Sequence, residues 1–365
     1  SRRLFKECRE AREKHADLTQ YGTTVAMADI DEARAALGYD QINLWGGSYG
    51  TRSAMEYLRR YPARVRSVVI DGVASPSMVL PATFGRDAGA SYAGMLAACE
   101  KSPACARSFP DVRSDAEALI ADVERNPRKI NITDPLTGVK RESALTRELI
   151  LTAVFSTLYV PELQAQLPSA LTEARRGNPG PLTALVSLFG DQADEKNALG
   201  MRFSVVCAED VPRITDADRK DLTPPFGSLF VREFVRGCEE WPRGSVPADF
   251  ATPVKSDKPV LILSGGLDPV TPPLFGEEVK KSLSNALHVV APNIGHGVSN
   301  RGCGPKLVKK FIESASIAGI DGSCLARIPR PTFYEPMRDK DKSADKEKEA
   351  RAGSLTVQES KGYAS

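Results

Sequence analysis

The chain has 365 residues, of which 41% are hydrophobic and 26% charged, and its formal net charge is +2. That apolar share supports a sizeable core in one large domain or two, and the near-balanced charge argues against nucleic acid or an anionic membrane surface as a partner. No apolar run approaches the ~20 residues of a membrane span.

Cysteine usage bounds the chemistry further. The seven cysteines, at 8, 99, 105, 207, 238, 303 and 324, form no C-x-x-C pair and none lies near a histidine at zinc-ligand spacing, so no metal site is expected. Three disulfides and an oxidising compartment, secreted or periplasmic, are the preferred reading. Cys99 and Cys105 are neighbours along the chain, as are Cys303 and Cys324, which leaves Cys207 with Cys238 and Cys8 unpaired. Six cysteines allow about fifteen connectivities, so the pairing stays open at this level.

Taken in order, residues 2–16 read as a charged helix carrying Cys8 and His15, and no signal peptide opens the chain. Thr23 or Thr24 caps a second helix that runs to Leu37, with Gly38 as its stop. The apolar stretch 42–46 predicts a strand. It enters Gly46-Gly47-Ser48-Tyr49-Gly50, after which Ala54, Tyr57, Leu58 and Tyr61 recur at helical spacing until Pro62. Strand, sharp turn and helix are the context that makes G-x-S-x-G a nucleophile elbow. Side chains at Gly46 and Gly50 are expected to collide with the adjoining strand and helix, and Ser48 is expected in a strained backbone. The Tyr49 N–H then faces a developing oxyanion.

Residues 65–70 predict a second strand ending at Asp71-Gly72, so the start of the chain alternates helix and strand as in a parallel sheet with covering helices. From Pro76 to Pro253 the pattern turns helical, with helices expected over 84–107, 114–126, 144–157, 160–176, 180–190 and 226–238. One hairpin, 129–133 with 139–142, turns at 134–138. The sheet resumes at 259–264, followed by a Gly-Pro-rich turn around Asp268, a helix over 274–284, a strand over 286–291, Gly295-His296-Gly297 and a last helix over 304–316. The expected organisation is a hydrolase core at 1–75, a mostly helical cap at 76–253, the rest of the core at 254–330 and a disordered charged tail at 331–365.

The chain contains only three histidines: His15, His288 and His296. Ser48, Asp268 and His296 follow the Ser…Asp…His order of α/β-hydrolases, each just beyond the carboxyl end of a predicted strand. His288 falls within a strand and reads as a packed or edge residue; His15, on a charged helix, reads as solvated. Asp71, at another strand end, is the alternative acid.

The elbow Gly46–Thr51, Val69-Ile70-Asp71-Gly72-Val73, the turn Ser264–Pro272 and Gly295-His296-Gly297 resemble secreted serine aminopeptidases related to the tripeptidyl and prolyl aminopeptidases. The segment Ser204–Pro212, with Cys238 and Trp241-Pro242, is similar to the cap of that family. The resemblance spans about residues 20–325. It implies an α/β-hydrolase fold with a helical cap and release of residues from the free N-terminus of a peptide, without metal or organic cofactor. Binding an α-ammonium calls for cap carboxylates; Glu209 and Asp210 are the candidates, with Glu239 and Glu240 behind them.

In one respect the sequence departs from the family. Relatives carry, before the elbow helices, several strands and a His-Gly-Gly-Pro-Gly-like loop that donates the second oxyanion N–H, and this sequence has neither. Four sheet strands are expected instead of eight, with an exposed apolar edge, as in an amino-terminal truncation. An esterase or lipase with the same triad, or an inactive fragment, are the competing readings.

Overall fold

The computed structural model describes residues 2–133, 137–185, 198–221 and 223–336. Its main sheet has four parallel strands in the order β1 (Ile42–Gly47), β2 (Val65–Asp71), β5 (Val260–Gly265) and β6 (Ala286–Ala291). The two central strands are buried almost throughout, as their near-continuous apolar sequences require. Their alternation divides the core. Val68, Ile70, Val260 and Ile262 point to one face, where Met55, Tyr57, Leu58, Phe275 and Val279 from the helices Tyr49–Arg60 and Pro273–Lys280 cover them. Val69, Leu261 and Leu263 point to the other, against Leu307, Val308 and Phe311 of the helix Gly304–Ser314. β1 forms the outer edge and leaves Trp45 58% exposed, the apolar edge that the strand count implied.

The middle of the chain is helical, interrupted by the antiparallel pair β3 (Arg128–Thr133) and β4 (Lys140–Leu145). The expected helix over 84–107 divides into Phe84–Lys101 and Pro103–Ser108, because Ser102 caps the second piece and Pro103 starts it. Residues 160–176 divide likewise into Pro161–Gln164 and Leu167–Arg175. The helix expected over 180–190 and the hairpin tip run partly beyond the described residues. An element absent from the sequence reading is the helix Leu199–Glu209, whose apolar residues Phe203, Val205, Val206 and Cys207 form a continuous buried run.

Disulfides join Cys99 to Cys105, Cys207 to Cys238 and Cys303 to Cys324, the nearest-neighbour pairing, and Cys8 is free. No helix among the described residues is long and apolar enough to cross a membrane.

Two segments pack differently from the assignment by sequence position. The first helix, Arg2–Glu13, lies against the cap and not the sheet: Phe5 meets Phe203 edge-on at 5.1 Å and Arg9 Nη1 donates to the Glu240 carbonyl at 2.9 Å. Phe5 and Cys8 pack there against the cluster that includes Phe203, Val206 and Trp241. The start of the expected disordered tail is also seated on the cap, since Phe333 packs into its core and Tyr334 N–H donates to the Ala165 carbonyl at 3.0 Å. Residues 337–365 lie outside the described residues.

Candidate active site

The carboxyl edge of the parallel sheet collects the residues singled out by sequence. Ser48 follows β1 directly, with φ 54° and ψ −123°, a left-handed conformation rare for a residue with a side chain. Such a backbone costs on the order of 1–3 kcal/mol and persists where its surroundings over-determine it. Here the Ser48 N–H donates to the Asp71 carbonyl at 2.9 Å, and the Ser48 carbonyl accepts from Thr51 N–H at 2.9 Å and Thr51 Oγ1 at 2.6 Å. Gly46 is obligatory, because a Cβ there would stand 2.1 Å from the Gly50 carbonyl oxygen. Gly50 is not, which corrects the expectation: a Cβ at Gly50 meets open space. The strand passes beneath the helix at Gly46 alone.

Asp268 and His296 are in contact. Asp268 Oδ2 accepts from His296 Nδ1 at 2.8 Å and from Thr271 Oγ1 at 2.8 Å, while Oδ1 accepts from the N–H groups of Val270 and Thr271 at 2.9 and 2.8 Å. The turn thereby fixes a buried carboxylate as acceptor for the imidazole. Burial works to raise the Asp268 pKa; His296 and the turn donors outweigh it and hold the carboxyl below its ordinary range. For His296 burial pulls the pKa down, and the bond to Asp268 together with the charges of Asp268 and Asp71 brings it above the usual histidine value. The imidazole sits edge-on to the Tyr159 ring at 5.1 Å, and its backbone N–H donates to the Tyr159 carbonyl at 3.0 Å. Gly295 permits this docking, since a Cβ would lie 2.3 Å from that same carbonyl oxygen.

Asp71, the alternative acid, has a different task. Both its oxygens accept the Val298 N–H, at 2.9 and 2.8 Å, and Oδ2 also accepts the Ser299 N–H at 2.7 Å. It anchors the loop that carries His296 instead of holding the ring. His288 is packed, as expected, between Ser264 Oγ at 2.9 Å and Glu277 Oε1 at 2.6 Å, and His15 is exposed.

The carboxylates expected to receive an α-ammonium are engaged elsewhere. Asp210 is fully buried and accepts from Arg52 Nη1 at 2.9 and 3.0 Å, Leu80 N–H at 2.9 Å and Arg213 Nη2 at 3.0 Å. Glu209 accepts Thr23 N–H at 2.6 Å and Thr23 Oγ1 at 2.9 Å, and burial pushes its pKa up to about 7 against those donors and Arg52. Glu240 pairs with Arg2, and Glu239 lies 3.8 Å from the same guanidinium. The Glu209 network ends on the Tyr49 hydroxyl, 2.5 Å from Thr23 Oγ1. It therefore holds the side chain of the residue whose N–H opens the helix after Ser48. That N–H, first in the helix, has no intrahelical acceptor.

Ser48 and Tyr49 open into a cavity of about 480 Å³, walled by Leu80, Pro81, Phe84, Tyr159, Met201, Val205, Val206 and Phe234 and by the charged Arg202, with Val270 and Thr271 from the Asp268 turn. Much of one wall is the helix Leu199–Glu209. No carboxylate stands among the described lining residues. Sequence reasoning missed this wall because an apolar run of that length does not by itself choose between a buried helix and a strand.

The family model described as alpha/beta hydrolase fold matches residues 8–97, and the one described as TAP-like protein matches 223–324. The chain has the α/β-hydrolase fold. Among curated proteins, this hydrolase-fold chain is 25% identical over 290 residues to the serine protease Hip1 of Mycobacterium tuberculosis, an alignment covering 74% of this chain and 55% of that protein. It is 39% identical over 66 residues to the tripeptidyl aminopeptidase of Streptomyces lividans, covering 18% and 12%. A proline iminopeptidase of Xylella fastidiosa is 36% identical over 59 residues, covering 16% and 19%. The chain thus spans about half the length of the serine protease Hip1 that it matches.

Proposed function

We propose that the chain is the catalytic part of a secreted or periplasmic serine hydrolase that releases residues from the free N-terminus of peptides through an acyl-enzyme. The observation that carries the hydrolase reading is the Asp268–His296 pair at 2.8 Å, set on the same sheet edge as a strained Ser48. The likeness to a serine protease, a tripeptidyl aminopeptidase and a proline iminopeptidase supports peptides as the substrate class, and the three disulfides support an oxidising compartment.

In this mechanism His296 Nε2 takes the proton of Ser48 as Oγ attacks the scissile carbonyl, while Asp268 fixes the Nδ1–H tautomer and stabilises the imidazolium that forms. The Tyr49 N–H donates to the oxyanion at the positive end of its helix. His296 then protonates the leaving amine, and a water activated by the same imidazole releases the acyl group.

A second reading, a carboxylesterase, is favoured by one observation: the cavity beside Ser48 has mostly apolar walls and no carboxylate among its described lining residues. Aminoacyl-coumarin amides with free and with acetylated amines separate the two. Cleavage confined to the free amines supports the aminopeptidase; equal cleavage of both forms removes it. Labelling by a fluorophosphonate that is lost in Ser48→Ala tests the nucleophile itself, and no labelling of folded protein would mean that the chain is not an enzyme by itself.

A further inference from the structure

Arg52, Arg213 and Arg9 are paired with buried or half-buried acids and hold the architecture together. Arg202 differs. It lies on the wall of the Ser48 cavity and is the sole charged side chain among the described lining residues. Among the described residues it makes no ion pair; its guanidinium is held instead over the face of Phe234, 5.0 Å from the ring centroid. Its charge reaches the neighbouring Tyr159, where burial and Asp268 raise the phenol's pKa and Arg202 opposes them.

The support beneath Arg202 is cross-linked. Its helix, Leu199–Glu209, is tied through the Cys207–Cys238 disulfide to Leu229–Cys238, the helix that carries Phe234. A planar cation stacked on an aromatic ring at the solvent-exposed edge of a mostly apolar cavity is suited to bidentate binding of a carboxylate.

We infer that Arg202 is a specificity-determining residue that pairs with a carboxylate on the acyl portion of the substrate, so that the cavity selects acidic acyl groups such as glutamyl over neutral or basic ones. The inference rests on the reading of this cavity as the substrate site of a serine hydrolase. It deepens that reading by naming the side chain accepted and the residue that reads it.

The test separates binding from chemistry. Ser48→Ala protein is titrated with glutamyl-coumarin amide and with its neutral isostere glutaminyl-coumarin amide, followed by fluorescence anisotropy. The glutamyl compound is expected to bind at least about tenfold more tightly. In Ser48→Ala carrying Arg202→Gln the two should bind within about twofold, and with Arg202→Glu the preference should pass to lysyl-coumarin amide. Arg202→Lys, which keeps the charge but not the planar fork, should retain part of the preference. Equal binding of the two isosteres, a preference that survives Arg202→Gln, or binding of neither compound overturns the inference. Fluorophosphonate labelling of the otherwise unsubstituted chain and of Arg202→Gln reports separately on the nucleophile. Loss of labelling in both would fail the hydrolase reading while leaving the titration result to stand.

Discussion

The anchoring of the His296 loop by Asp71 gives the most demanding prediction. Asp71 is 3% exposed, and its carboxylate accepts two backbone N–H groups, those of Val298 and Ser299, at 2.7–2.9 Å. Asp71→Ala leaves both donors buried without a partner. At roughly 1–3 kcal/mol each, the loss is roughly 2–6 kcal/mol, a large part of the stability of an ordinary domain. Asp71→Asn keeps one acceptor oxygen and turns an amide toward the other donor, so its cost should be about half. The Asp71 charge also helps raise the His296 pKa, so both variants should move the rising limb of a pH–rate profile downward. Urea unfolding monitored by circular dichroism gives the stability, and fluorophosphonate labelling against pH gives the reactivity. The expected order of midpoints is parent, Asn, Ala at an unchanged slope, with labelling slowed by about 10²-fold as the imidazole drifts from register. Both variants lying within about 0.5 kcal/mol of the parent would refute the anchoring role. A limb that moves upward would refute the electrostatic part, since loss of the Asp71 charge should lower the His296 pKa.

Four further outcomes follow from the same geometry. Labelling of Ser48 requires neutral His296, whose pKa lies above the ordinary 6.5, so the rate should rise through a midpoint above that pH. Asp268→Asn should reduce the rate by about 10⁴-fold through the wrong tautomer, and a loss below tenfold would remove Asp268 as the orienting acid. Gly46→Ala should prevent folding or labelling, its Cβ standing 2.1 Å from the Gly50 carbonyl oxygen, whereas Gly50→Ala enters open space on a helix and should be neutral or stabilising by up to about 1 kcal/mol in thermal unfolding. Replacing Cys207 and Cys238 by alanine should cost about 2–4 kcal/mol and broaden substrate selection, because the bridge holds the Arg202 wall; unchanged selectivity in a folded double variant would show that the wall is held by packing alone.

Much of this protein is legible in its sequence. Local patterns sufficed for four parallel strands, because short apolar runs closed by glycine turns have few other ways to bury themselves. The elbow, the acid turn and the Gly-His-Gly loop were equally legible, since each needs a particular residue at a strained or crowded position. What tertiary structure decided is where long-range partners go. Asp71 and Asp268 both end or follow a strand, and only the fold shows that one binds a loop's N–H groups and the other an imidazole. Glu209 and Asp210 looked available for a substrate amine, but Thr23 and Arg52, distant in sequence, and Arg213 one turn on consume them. Arg202, one charge on a helix that the hydrophobic pattern did not reveal, is left facing the cavity. A carboxylate's role depends on which cation or donor the fold delivers within 3 Å, and that pairing has no signature in local sequence.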